Sequence, residues 1–197
     1  MAVLKLRDLT AQYYLRTIDA TARMEAQIEE LLEYSRVSRS ELKSEPISLI
    51  LIVHEILGRL ERDPAFKNAK ISVQEPLGWV KAHRLTLQQV ILNLLTNAIT
   101  FVQPGVTPIV NVRSAEHGDG MVRLSIEDNG IGISDADRER VFQIFQRLPA
   151  ADAYPGIGVG LTVARRGVER MGGKISFEPS ASGGTVFQVD LPRADRK

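Results

Sequence analysis

The sequence has no cysteine. That removes disulfides, thiolate zinc sites and cysteine nucleophiles together, and it fits a reducing compartment. Excess charge is also lacking: 25 Lys and Arg stand against 24 Asp and Glu, a formal net charge of +1. No general attraction to nucleic acid or to an anionic membrane surface is expected from that balance. Long apolar runs are missing too. The most apolar stretch, PISLILIVHEIL from Pro46 to Leu57, is too short and too interrupted to span a bilayer. No basic segment followed by an apolar one opens the chain in the secretory manner. What is present is ordinary globular composition, 44% hydrophobic and 25% charged in 197 residues, enough for one sizeable core with an appendage.

Over residues 9 to 38, Tyr14, Ile18, Thr21, Met24, Ile28, Leu31 and Ser35 recur at spacings of three and four. That spacing predicts one long amphipathic helix whose stripe needs a packing partner. The polar stretch from Val37 to Pro46 reads as a linker. Helical spacing then covers 49 to 62 and 85 to 101, with short strands at Lys70–Gln74 and Trp79–Lys81. Alternation at Ile109–Val112 and Val122–Ile126 predicts two antiparallel strands joined by a polar turn around His117–Gly120. A short helix is expected at 135 to 145. A longer one, Leu161–Met171, stops at Gly172-Gly173, and strands follow at Ile175–Glu178 and Thr185–Leu191. Without a regular βαβ rhythm, this order predicts a two-layer α/β sandwich, a mixed sheet covered by helices on one face, preceded by the long helix. The division expected is 1–45 for helix and linker and 46–197 for the sandwich.

Four motifs lie in one order: Asn93-Leu94-Leu95-Thr96-Asn97, Asp128-Asn129-Gly130-Ile131-Gly132, the pair Phe142 and Phe145, and Gly156-Ile157-Gly158-Val159-Gly160-Leu161. Together they resemble the N, G1, F and G2 boxes of the GHKL ATPase superfamily. The stretch FQRLPAADAYPGIGVGL looks most like its histidine kinases, the phytochrome-type branch in particular, and ATARMEAQIEELLEYSRV resembles the second helix of a kinase dimerisation and phosphoacceptor hairpin. The resemblance implies an ATP-binding catalytic domain of a sensor histidine kinase in two-component signalling, with ATP and magnesium as ligands and a cytoplasmic setting. It further implies an acceptor-His hairpin and a response-regulator receiver domain as partners, and a homodimer formed through the N-terminal helix.

The residues suit that chemistry. Asn93 and Asn97, four apart, project from one helix face. Magnesium takes oxygen ligands and bridges protein to phosphate, so the Asn97 amide oxygen is the metal ligand expected. Family members that activate water usually carry Glu where Asn93 stands, and an amide cannot take a proton. Transfer to an imidazole needs no such base, so kinase is favoured over hydrolase. Asp128 can accept a hydrogen bond from the adenine amine, whereas guanine would present a carbonyl there. Gly130 and Gly132 can take positive φ and let backbone approach a flat ring. Gly156, Gly158, Gly160 and Leu161 lead into a helix start that attracts phosphate.

Between the loops, Gln146 to Pro155 suits a mobile lid, with Phe142 and Phe145 anchoring its base and Arg147 reaching the γ-phosphate. Through the resemblance, Thr185 supports the adenine-binding carboxylate with its hydroxyl. Two departures are visible: Thr100 replaces the Lys or Arg usual after Asn-Ala-Ile, and Ile157 replaces a common threonine. None of His54, His83 and His117 sits in an acceptor motif, an acidic residue followed shortly by proline, so the accepting histidine is expected outside this chain. Two alternatives stay open. One is an ATP-binding regulatory or phosphotransfer adaptor module without kinase activity. The other is a serine kinase of the anti-sigma type, against which the long helix argues.

Overall fold

The computed structural model describes residues 43–63, 66–118, 120–148, 154, 156 and 158–195, together with the separate helical positions Thr17, Ala20, Thr21, Met24 and Ile28. In chain order the elements are β1 (Glu45–Ser48), α1 (Leu49–Leu60), β2 (Lys70–Gln74), β3 (Trp79–Ala82), α2 (Arg84–Thr100), β4 (Ile109–His117), β5 (Met121–Asp128), α3 (Gly160–Arg170), β6 (Lys174–Pro179) and β7 (Thr185–Pro192). Most of the stripe expected over 9 to 38 lies outside the described residues; within it, Met24 and Ile28 are helical and exposed.

Alternation along the strands builds the sandwich. Val122, Leu124, Ile126 and Asp128 on β5, Thr185, Phe187, Val189 and Leu191 on β7, and Val110 and Val112 on β4 are all buried. The apolar ones among them meet Leu87, Val90, Ile91, Leu94 and Leu95 of α2 and Ala164 and Val168 of α3 in one core. Each of the Val, Leu, Ile and Phe side chains contributes about 1.5–3 kcal/mol on burial. The opposite face is polar and tied across strands, with Arg113 Nη1 on Glu127 Oε2 at 3.0 Å and Arg123 gripping both Asp190 oxygens at 2.7 and 2.8 Å. The five strands lie in the order β2-β4-β5-β7-β6, parallel only between β2 and β4. The mixed two-layer sandwich expected from the sequence is the fold observed.

Two local readings change. Glu45 and Pro46, read as the end of a linker, belong to β1, which pairs with β3 from Glu45↔Ala82 to Ser48↔Trp79. With a single neighbour, the strand tolerates a proline. The short helix expected at 135 to 145 is instead two single 3₁₀ turns, Asp135–Asp137 and Arg140–Phe142. Its polar side chains pair locally, Ser134 and Arg140 with Asp137 and Arg138 with Asp135. Val141 alone in these two turns is buried, so no apolar face sustains a longer helix.

This topology brings the C-terminal end of β5, the start of β7 and the last turn of α2 to one end of the sheet. The backbone fixes them there: Ile131 N–H donates to Phe101 C=O at 2.9 Å, and Phe101 N–H to Asn97 C=O at 3.0 Å.

Candidate nucleotide-binding site

Asp128 closes β5 and is 6% exposed. Its Oδ1 accepts from the backbone N–H of Gly130 at 2.8 Å and of Thr185 at 3.0 Å. The second oxygen accepts no hydrogen bond from any described residue, which leaves it for an outside donor. Burial raises the carboxyl pKa above the ordinary aspartate value; the two N–H groups oppose that shift and the Glu127 charge adds to it. Support from Thr185 therefore comes from its main chain. The hydroxyl contact that the resemblance implied is not made, because the register of β7 aims the N–H, not the side chain, at Oδ1.

The glycines around this carboxylate are needed for closeness more than for conformation. Gly130 does not take positive φ, contrary to expectation; a Cβ there would meet Phe101 C=O at 2.5 Å and Asp128 Oδ1 at 2.9 Å. Gly132 does, at φ 72°. Gly184 was not singled out in the sequence. A Cβ on it would collide with the Asp128 main-chain and side-chain oxygens and lie 2.6 Å from Gly130 N. Asn129 also holds structure: its amide accepts from Ile109 N–H at 2.8 Å and donates to Thr107 C=O at 3.0 Å, pinning the approach to β4.

Asn93 and Asn97 share a face of α2 but not a role. Asn93 Nδ2 donates to Gly160 C=O at 3.1 Å, and its oxygen accepts from Gln89 at 3.0 Å, so it joins α2 to the first residue of α3. The half-buried Asn97 amide makes no side-chain hydrogen bond to a described residue. At the start of α3, Val159 is the N-cap and supplies no side-chain bond, so its side chain does not compete with an anion for the first-turn N–H groups. Gly158 has φ 78°, and a Cβ there would strike Gln146 C=O, while the more open Gly156 has φ 120°. Leu161 packs partly on the core. Ile157 lies outside the described residues.

Of the segment read as a lid, Gln146 to Pro155, the described residues are Gln146, Arg147, Leu148 and Tyr154. Phe142 is packed in place, with its ring 6.1 Å from that of Phe177, the Arg165 guanidinium 5.4 Å from its centre and its carbonyl accepting from the Thr162 hydroxyl at 3.0 Å. Phe145 does not pack: it is 55% exposed, its φ is 62°, and its N–H reaches Gly158 C=O at 3.1 Å. That left-handed turn directs the side chain outward. Arg147 Nη2 donates to Tyr154 C=O at 2.6 Å, and Tyr154 in turn donates its hydroxyl to Val102 C=O at 2.9 Å and sets its ring 5.3 Å from Phe101. Arg147 thus braces Tyr154, which, unmarked in the sequence, is itself tied to the end of α2.

Fold and site together have the form of a nucleotide-binding domain, with a buried carboxylate at one end of the sheet and a helix start without a side-chain cap beside it. The chain belongs to the histidine kinase-, DNA gyrase B- and HSP90-like ATPase family, whose model matches residues 82–195. Among curated proteins it is 33% identical over 178 residues to cyanobacterial phytochrome B of Nostoc sp., covering 90% of this chain and 24% of that protein. It is 32% identical to the methanogenesis regulatory histidine kinase FilI of Methanothrix harundinacea, covering 88% of this chain and 19% of that protein. The chain thus spans about a quarter or less of the length of these relatives. Among solved structures, the mycobacterial sensor histidine kinase MprB superposes with a TM-score of 0.68 at 26% identity, over 78% of this chain and all of that one.

Proposed function

We propose that the chain is the ATP-binding catalytic part of a sensor histidine kinase, which passes the γ-phosphate of Mg-ATP to a histidine outside this chain and thence to a receiver domain. In this reading the domain that begins with β1 at Glu45 binds the nucleotide, and the residues before it supply one hairpin helix and linker, through which two copies pair in the cytoplasm. The observation that carries it is Asn93. At the position where a water-activating relative places a carboxylate base, this chain has an amide already committed to Gly160 and Gln89. Such a group orients and cannot deprotonate water, whereas an imidazole nucleophile needs no base.

The histidines of the chain are otherwise engaged. His83 Nδ1 accepts from Thr86 N–H at 3.3 Å as the cap of α2, and His117 Nε2 accepts from Arg123 at 2.7 Å. His54 lies 3.6 Å from Glu75 on an exposed helix face. Incubated alone with ATP and magnesium, the chain is expected to form no phosphohistidine and to hydrolyse ATP slowly. Adding a complete acceptor hairpin in trans is expected to restore transfer at reduced efficiency, since tethering supplies a large effective concentration. Intact mass and acid lability of the product decide it; acid-labile phosphate on His54, His83 or His117 would contradict the reading.

Asn97 fits magnesium. Its amide oxygen accepts no hydrogen bond from a described residue and adds no charge, which suits a hard cation that draws its other ligands from phosphate and water. No cluster of three or more His, Cys, Asp or Glu able to hold a metal by itself occurs among the described residues. When bound, the ion neutralises phosphate charge; Asn97 would hold it, and the α3 start would hold the phosphates. Asn97→Ala is therefore expected to weaken magnesium-dependent ATP binding more than metal-free ADP binding. Equal losses for both nucleotides in calorimetry would remove Asn97 as the ligand.

A further inference from the structure

The turn between β6 and β7 grips the end of β5 from both sides of the sheet. On the polar face, Ser180, 8% exposed, donates its hydroxyl hydrogen to Glu127 Oε1 at 2.6 Å and accepts from Ser182 N–H at 3.1 Å. The Ser182 hydroxyl lies 2.7 Å from Ser180 Oγ and 3.3 Å from Asp128 C=O. Glu127 is held in turn by Arg113 at 3.0 Å. Its carboxyl stays below the usual glutamate range, first through the Ser180 hydroxyl and then through Arg113, against the opposing effect of burial. On the core face, the same turn seats Gly184 on Asp128 and brings Thr185 N–H to Asp128 Oδ1. Adjacent strand residues point to opposite faces, so Glu127 and Asp128 offer the turn one anchor on each side.

We propose that Ser180 is a positioning residue for adenine recognition: by tying the β6–β7 turn to Glu127 it keeps Thr185 N–H on Asp128 Oδ1 and so aims the other carboxylate oxygen at the amine of the base. The proposal rests on the reading of Asp128 as the base acceptor. A hydrogen bond weakens steeply as its angle opens, so a carboxylate free to rotate loses the base contact while remaining buried and charged. The backbone bonds Ser180 N–H to Gly184 C=O at 2.9 Å and Gly183 N–H to Ser180 C=O at 3.0 Å survive removal of the hydroxyl, so the turn itself persists.

The test compares ATP with the triphosphate of unsubstituted purine riboside, which lacks the exocyclic amine, by calorimetry on the whole chain, with thermal melts alongside. Wild type is expected to prefer ATP. Ser180→Ala is expected to lose about tenfold in ATP affinity, the order of one charge-assisted hydrogen bond, with affinity for the amine-free nucleotide unchanged. Ser180→Thr, which keeps the hydroxyl, is expected to keep the preference, and Glu127→Ala to lose it. A Ser180→Ala protein that prefers ATP as wild type does, or that loses both nucleotides equally, overturns the positioning role and leaves Asp128 in place. A wild type without preference overturns the base pocket and this proposal with it. Should Ser180→Ala fail to fold, Glu127→Ala decides by the same two criteria.

Discussion

Asp128→Asn is expected to lower ATP affinity by about ten- to a hundredfold in a protein that stays folded, the loss of a charge-assisted hydrogen bond. Asparagine is the sharper variant because its oxygen can still accept from Gly130 and Thr185 N–H, preserving the inner contacts of the carboxylate. Its NH₂ then faces the adenine amine, donor against donor. Asp128→Ala should bind as weakly and also lose stability, since the half-buried Gly130 N–H and the buried Thr185 N–H both lose their acceptor, at about 1–3 kcal/mol for the buried one. Calorimetry with ATP on both variants is the measurement; wild-type affinity in Asp128→Asn would place the adenine elsewhere.

Acidification gives a second readout of the same group. Its folded pKa is raised, so the proton returns at a higher pH than on a free aspartate. ATP affinity should fall as pH drops through that value. The contribution of Asp128 to stability should move the other way, because protonation relieves the burial of charge.

Much of this was readable in the chain. The period-2 strands β4, β5 and β7 and the apolar helix α2 fall where the spacing puts them, because each has a face that must be buried. The four boxes were legible as a set, since glycines, amides and a carboxylate at fixed separations are what a nucleotide constrains. The contacts between segments were not. That Asn93 reaches Gly160, 67 residues on, that Thr185 works through its N–H, and that Phe145 turns outward all depend on register and backbone angle. Ser180 and Tyr154 had no signal, because serine in a turn and tyrosine in a loop are common for local reasons alone. Gly184 did leave a trace in the pair Gly183-Gly184, which could have been read as two separate needs: positive φ at Gly183, at 94°, and close approach at Gly184.

That second need carries the other large effect. Gly184→Ala is expected to abolish measurable ATP binding in the folded fraction and to lower the melting temperature. The new methyl would fall on Asp128 C=O and Oδ1 and on Gly130 N, all of them backbone or held by backbone, so no flexible side chain can yield and the turn itself must move. Moving it withdraws Thr185 N–H from Oδ1 and leaves the base acceptor unaimed. Gly173→Ala separates the binding loss from simple overpacking. A Cβ there collides with Asp190 C=O and lies 2.9 Å from Leu191 Cδ2 and 3.0 Å from Val168 Cγ1, beyond the C-terminal end of α3 and away from Asp128. Both variants should be destabilised by about 1–3 kcal/mol, the range for methyl groups forced into filled space. Only Gly184→Ala should lose the nucleotide. Thermal melts fix the folded fraction and calorimetry reads the binding; equal retention of ATP by the two variants would show that the turn can shift without disturbing the carboxylate it covers.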